Sequence, residues 1–441
     1  MAPGLPLVSG RAPGAVFARR EGRSVATGEF LRDVLQAAAA LPERRYALNL
    51  CADRYRFAVG LAAALVRGQL SLLPSSHAPD LLARLAAAYR GLYCLRDDGR
   101  EDAALESVAV SPATGEAGAA APAMPLLSAA QPAVVVFTSG STGEPIPHLK
   151  TWGSLAAGAR AEADRLKPAP GLALIGTVPP QHVYGLESTV LLALQGGCVL
   201  HAGRPFYPYD IRDALEATPA PRALVTTPVH LRVLLAEPDP VPKVDFVLCA
   251  TAPLAPQLAQ AAERRFGAPL YEIYGCTEAG QIASRRTTAS DEWRALAGVE
   301  ARADERGAWV KGGHVETEVL LSDVIELRGR SRFLLHGRTA DLVNIAGKRA
   351  SLAYLNFHLN SIEGVRDGAY LLPEEAEGDA TRLTAFVVAP GLTREAILAA
   401  LRSRIDPAFL PRPLRLVDEL PRNATGKLPR QALDELARKA G

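Results

Sequence analysis

The chain has 441 residues, of which 48% are apolar and 22% charged, and a formal net charge of +2. Its length exceeds what one ordinary core accommodates, so two or three domains are expected. The near-neutral balance, with no polybasic block, gives no footing for nucleic acid or an anionic membrane surface, and no run reaches the roughly 18 apolar residues that span a bilayer.

Helix and strand patterns alternate from Thr27 onward. Thr27 reads as an N-cap, with Phe30, Leu31, Val34 and Leu35 on one face of the helix that follows. Strands are predicted at Tyr46 to Cys51, Leu70 to Leu73 and Gly91 to Leu95, with helices at Phe57 to Val66 and Leu81 to Tyr89 between them. Such alternation predicts a parallel sheet with crossover helices. Asp97 to Pro132, rich in Asp, Glu, Gly, Ala and Pro, reads as a long connection with room for a short strand at Val108 to Val110.

An apolar β-branched run, Val134 to Phe137, then leads into Thr138-Ser139-Gly140-Ser141-Thr142-Gly143-Glu144-Pro145, ahead of a helix expected from about Trp152. The hydroxyls of Thr138, Ser139, Ser141 and Thr142 can donate to an anion, and Gly140 and Gly143 let main-chain N–H groups turn inward on it. Ser, Thr and Gly also dominate ordinary surface turns, which is the alternative. A Walker loop is excluded, because no Lys follows Gly143 and the first one downstream is Lys150.

The alternation resumes with strands at Leu172 to Val178, Cys198 to Leu200, Ala223 to Thr226, Phe246 to Cys249 and Leu270 to Ile273. Helices are expected at Tyr184 to Gln195, Ile211 to Ala217, Val229 to Ala236 and Gln257 to Phe266. Short alternating strands at Glu316 to Leu321, Val324 to Leu327 and Arg332 to Leu335 read as an antiparallel or barrel-like piece. A boundary is expected near His336 to Asp341, dividing residues 1–337 from a compact α+β unit over 338–441. The expected fold class is therefore α/β: a large N-terminal domain of mostly parallel sheets flanked by helices, with a small β-barrel-like piece, and a small, mobile C-terminal domain. The five cysteines are scattered and odd in number, with no C-x-x-C pair, and residues 1–20 lack the apolar core of a signal peptide, so reduced thiols in a cytoplasmic protein are expected.

Three more stretches complete a constellation: Tyr274-Gly275-Cys276-Thr277-Glu278, Gly337-Arg338-Thr339-Ala340-Asp341 and Asn423-Ala424-Thr425-Gly426-Lys427. With the Thr-Ser-Gly-Ser-Thr-Gly loop, their order and spacing over residues 130 to 441 resemble the adenylate-forming superfamily of acyl- and aryl-CoA synthetases, peptide-synthetase adenylation domains and beetle luciferases. The resemblance implies ATP and Mg²⁺ as cofactors and two steps. A carboxylate attacks the α-phosphate to give an acyl-adenylate and pyrophosphate, and a thiol then takes the acyl group.

It further implies roles for individual residues. Thr138 to Gly143 hold the β- and γ-phosphates, Ala250, Thr251 and Ala252 wall the adenine, Tyr274 and Gly275 lie against it, and Thr277 touches the α-phosphate. Glu278 coordinates Mg²⁺, since a carboxylate beside a phosphate needs a cation between them; a helix N-cap formed by Thr277 and Glu278 is the alternative. Asp323 and Arg338 take the ribose. Lys427 bridges carboxylate and α-phosphate as charge develops. The sequence departs from the family at Ile146, where a lysine is usual, so that charge comes from Lys150 or is dispensed with. It departs again at Ala340, the first acidic position of the usual hinge, while Arg349 matches a position facing the acceptor thiol's side.

Pro179 to Gly185 resembles the segment that sets a His or aromatic side chain over the acid, which makes His182, Tyr184 and Gly185 candidates for the acid site, with Gln281 and Ile282 as its floor. Glu187 stands one step from the position at which amino-acid-activating relatives carry an Asp, so an uncharged acid tail is expected. Within the family the chain looks most like short ligases that load a hydroxybenzoate-like acid onto an acyl carrier protein in aryl polyene and xanthomonadin-type pigment clusters. An aryl- or fatty-acyl-CoA ligase and a catalytically degenerate nucleotide-binding protein are the alternatives.

Overall fold

Two layered sheets are built around a helix that has almost no exposed face. The computed structural model describes residues 4–74, 77–99, 105–111, 120–139, 145–338, 342–345, 348–372, 382–422 and 428–439. The short strand β1 (Leu5–Pro6), the hairpin β2 (Val16–Arg20) and β3 (Arg23–Ala26), and helix α1 (Thr27–Ala40) come first. Thr27 is not the cap of α1: Ala26 holds that position, and the Thr27 hydroxyl donates to the Ala15 carbonyl at 3.0 Å.

Next come β4 (Tyr46–Asn49), α2 (Arg54–Val66), β5 (Leu70–Leu73), α3 (Pro79–Ala88), β6 (Tyr93–Arg96), β7 (Ser107–Ala109), β8 (Leu126–Leu127), β9 (Pro132–Ser139) and β10 (Pro145–Thr151). Asp53 caps α2 by accepting the Arg56 N–H at 2.8 Å. With Phe57, Val59, Leu61, Ala62, Ala63, Ala64 and Leu65 all buried, α2 is apolar nearly all round and is driven between layers. It packs on β4 and β5 on one side and on β12 (Val199–His201) on the other, β12 following β11 (Ala173–Gly176) in the chain.

The first sheet has the order β10-β9-β5-β4-β6-β7, parallel except for β10. β10 was not expected, since Pro145 and Pro147 argue against a strand. The edge position explains it, because there a missing N–H costs no ladder bond.

Helix α4 (Trp152–Leu166) follows β10, with Thr151 accepting the Ser154 N–H at 3.1 Å as its cap. Residues 183–195 form one helical stretch made of α5 (Val183–Gly185), a π-helical segment (Leu186–Leu191) and α6 (Leu192–Gln195). The second sheet is completed by α7 (Pro208–Ala217), β13 (Arg222–Thr226), α8 (Pro228–Ala236), β14 (Phe246–Cys249), α9 (Pro256–Phe266), β15 (Leu270–Cys276), β16 (Gly280–Arg285) and β17 (Trp293–Ala295). Strands β18 (Glu300–Asp304), β19 (Gly307–Gly312) and β20 (Val315–Leu320) form a separate three-stranded sheet.

With β21 (Asp323–Leu327) and β22 (Arg332–Arg338), the second sheet runs β21-β22-β17-β16-β15-β14-β13-β11-β12-β2-β3. Strands β2, β12, β11, β13, β14 and β15 are mutually parallel, as the alternation predicts. The three expected strands pair antiparallel and close no barrel among the described residues: β20 belongs to the three-stranded sheet, and β22 and β21 extend the large sheet.

A smaller C-terminal domain comprises β23 (Leu342–Ile345), β24 (Lys348–Ser351), α10 (Leu352–Asn360), β25 (Asp367–Leu371), β26 (Thr384–Val388), α11 (Arg394–Arg402), β27 (Leu414–Leu416) and α12 (Arg430–Lys439). Its buried clusters draw only on residues from Val343 onward, and the clusters of the large domain end at Phe333. The cysteines are free, and no helix among the described residues is long and apolar enough to cross a membrane.

Candidate functional site

The candidate residues are scattered in sequence, but most leave the sheets at neighbouring strand ends. β14 and β15 are parallel neighbours with Cys249 opposite Glu272, so the turn after Cys249 leaves the sheet beside the last residues of β15 at the carboxyl edge, where open α/β sheets bind ligands. Ala250 is buried, Thr251 and Ala252 are half-buried, and Thr251 has φ 83. A β-branched residue in that region is a backbone outlier costing about 1–3 kcal/mol, and such strain concentrates at functional sites.

β15 and β16 form a hairpin whose turn carries Thr277 and Glu278, so the helix-cap alternative does not apply. The register shifts at Tyr274 and Gly275, and a Cβ on Gly275 would lie 2.4 Å from the Gly280 carbonyl oxygen; the close approach demands glycine. Tyr274 is buried, its ring 5.6 Å from Trp293 and 5.8 Å from Phe333, and its hydroxyl donates to Asp323 Oδ2 at 2.8 Å. Asp323 opens β21 directly opposite Arg338 on β22, which brings the two ribose candidates together in one register.

Thr138, near the end of β9, shares a 2.9 Å hydrogen bond with His148 Nε2, and His148 lies 3.9 Å from Glu278 Oε1. Lys150, two residues on and therefore on the same face of β10, donates to the main-chain carbonyl of Glu278. Burial lowers its pKa. Sequence reasoning missed His148, and only the strand period of β10 could have found it. Ser139 ends β9, whereas Gly140, Ser141, Thr142, Gly143 and Lys427 lie outside the described residues, as do Ala340 and Asp341.

On the acid side, His182 occupies the N-cap position of α5, half-buried, with its main-chain N–H donating to the Pro179 carbonyl at 3.2 Å. Tyr184 lies in the core and donates to the Leu248 carbonyl on β14 at 3.0 Å. Gly185 passes so close to Pro179 that a Cβ would meet that carbonyl oxygen at 2.0 Å. Ile282 is fully buried in the cluster around Tyr274.

Gln281 is buried too, and its side-chain nitrogen donates to Glu162 Oε2 at 3.0 Å and to Ser188 Oγ at 2.8 Å, while its Oε1 has no donor among the described residues. Glu162, which also accepts from Ser188 at 2.7 Å, is pushed by burial up to about 8, and burial takes Glu187 to about 7. Neither Glu162 nor Ser188 belongs to any of the motifs.

Comparison with known proteins gives the family. The profile of the family described as AMP-binding enzyme matches residues 34–304. A 4-coumarate–CoA ligase from Halorhodospira halophila is 30% identical over 299 residues, 66% of this chain and 73% of its own. A 4-chlorobenzoate–CoA ligase from an Arthrobacter species is 26% identical over 389 residues, 77% and 72% of the two chains. The solved o-succinylbenzoate coenzyme A synthetase from Bacillus subtilis, in complex with AMP, shares the fold with a TM-score of 0.79 at 20% identity over 95% of each chain. The chain belongs to the AMP-binding enzyme family and is an AMP-forming acid–thiol ligase.

Proposed function

We propose that this ligase activates an aromatic acid of the hydroxybenzoate kind, using ATP and Mg²⁺, and hands the acyl group to the phosphopantetheine thiol of an acyl carrier protein, as in pigment biosynthesis. The observation that carries the substrate class is the Gln281 carboxamide, buried and oriented by Glu162 and Ser188 with its oxygen unmatched. A buried acceptor without a donor is costly. Where the acid reaches that oxygen, one that brings a donor, such as a ring hydroxyl, is favoured far more sharply than an apolar wall can arrange. The relatives' names, 4-coumarate and 4-chlorobenzoate ligases, support a ring. They equally favour CoA as acceptor, which is the second reading, and both acceptors present the same thiol.

In this reading Tyr274, Gly275, Ala250, Thr251 and Ala252 enclose adenine, Asp323 and Arg338 hold ribose, and Thr138 with the loop after it cradles the phosphates. Glu278 suits Mg²⁺: its side chain is 38% exposed at the tip of a hairpin, and that ion is held by one or two carboxylates together with substrate phosphates. Bound there, it would neutralise phosphate charge. The division into residues 1–337 and 338–441 belongs to the same reading, with Lys427 carried by the smaller part.

A panel of aromatic and fatty acids assayed by pyrophosphate release tests the substrate class, and silence on every aromatic acid would sink it. Offering CoA and a phosphopantetheinylated carrier protein to the enzyme with preformed adenylate decides the acceptor. Lys427→Ala is expected to lower adenylate formation by orders of magnitude while sparing thioester formation from supplied adenylate. Equal loss in both steps would contradict its role.

A further inference from the structure

The β15–β16 turn rests on an acid and a base that no motif includes. From below, Lys150 on β10 donates its ammonium to the carbonyl of Glu278. The Glu187 carboxylate lies against the other strand of the hairpin, at Gly280. It presses so closely on Gly280 that a Cβ there would stand 2.6 Å from Glu187 Oε1. Each of the two side chains places an opposite charge in the surroundings of the other.

The helix that carries Glu187 supplies an independent observation. Residues Leu186–Leu191 are π-helical, an arrangement that is rare and concentrated at functional sites because it re-aims side chains relative to the α-helical turns on either side. Here the wider turn includes Glu187. Meanwhile Ile146, where a lysine would be usual, is exposed on the outer part of β10. Lys150 stands four residues further along the same strand face, in contact with the turn.

We propose that Lys150 and Glu187 are positioning residues that hold the β15–β16 turn at its tip and at Gly280 and so fix the Glu278 carboxylate for its metal. Lys150 therefore does not replace the missing loop lysine as a phosphate contact. The inference rests on the reading of Glu278 as the metal-holding carboxylate. Its physical basis is that a ligand on a hairpin tip holds its ion only as well as its supports hold the turn, and groups that orient metal ligands commonly carry 10–100-fold in metal affinity.

The test uses the full chain with Lys150→Met, Glu187→Gln, the double variant and Glu278→Gln. Mn²⁺ bound in the presence of ATP, counted by electron paramagnetic resonance, is read alongside ATP binding in EDTA by calorimetry. Each single variant is expected to weaken Mn²⁺ binding by about tenfold, with ATP affinity in EDTA within about twofold of the parent. The double variant should be no worse than the poorer single one, as for residues acting as a unit. Glu187→Gln keeps shape and volume, so it carries the test should Lys150→Met fail to fold.

Loss of metal-free ATP affinity in Lys150→Met with unchanged Mn²⁺ binding would make Lys150 a phosphate contact and overturn the proposal, as would additive losses in the double variant. If Glu278→Gln weakens Mn²⁺ binding and the clamp variants do not, the clamp alone fails. If Glu278→Gln leaves Mn²⁺ binding intact, the reading of Glu278 fails and the clamp with it.

Discussion

The Tyr274 hydroxyl donates to Asp323 Oδ2 at 2.8 Å, joining the end of β15 to the start of β21 across three intervening strands of the same sheet. The ring proposed to lie on adenine and the carboxylate proposed to take the ribose are thus one hydrogen-bonded unit. Removing a donor to a charged acceptor costs about 1.5–3 kcal/mol.

Tyr274→Phe keeps the ring and its contacts with Trp293 and Phe333 but deletes that donor. KM for ATP should rise about tenfold, corresponding to ~1.4 kcal/mol, with KM for the acid nearly unchanged. An unaltered KM for ATP in steady-state pyrophosphate release would separate Tyr274 and Asp323 from nucleotide binding.

Glu162 makes stability depend on pH in a direction opposite to that of a surface carboxylate. Burial, with the neighbouring Glu187 charge adding to it, raises its native pKa to about 8 from the ordinary carboxylate range. Between about pH 4.5 and 8 the native state therefore holds a proton that the unfolded state has released. Stability from this group is complete below that window and falls as pH rises through it, by up to ~1.4 kcal/mol per pH unit. Glu162→Gln should flatten the decline, so that its melting temperature relative to the parent is higher at pH 8 than at pH 6. Parallel Tm profiles for the two proteins would refute this.

Arg232 on α8 of the large domain lies 3.5 Å from Asp367, which opens β25 of the small domain, and Asp367 is also held by Arg422 through bonds of 2.7 and 2.8 Å. Arg422 directly precedes the segment that ends at Lys427. If the two domains exchange between arrangements for the two half-reactions, a partly exposed pair worth up to ~1 kcal/mol biases that exchange by up to about fivefold. Arg232→Ala should move adenylate formation and thioester formation in opposite directions, measured as pyrophosphate exchange and as transfer from supplied adenylate. Proportional change in both would show that the ion pair has no part in switching.

Much of the fold was legible because element type is written in short-range periodicity. Leu70–Leu73 and Phe246–Cys249 are strands with the bounds their apolar patterns predict, and the alternation of strand and helix leads to the parallel register from β2 to β15. β10 was hidden by its prolines, whose acceptability depends on an edge position that no local pattern encodes. The barrel-like expectation failed for a related reason: alternation identifies β21 and β22 as strands but says nothing of which sheet they join.

The sequence by itself determined the order of elements and the residue types at Tyr274, Glu278 and Asp323, since turn chemistry and hydrophobic period act over a few residues. Only the tertiary structure decided that Lys150 reaches Glu278 across 128 residues, that Glu162 reaches Gln281 across 119, and that Arg232 faces Asp367. A buried polar group must find a partner, but which partner depends on how sheets and helices stack, and that information is spread over the whole chain.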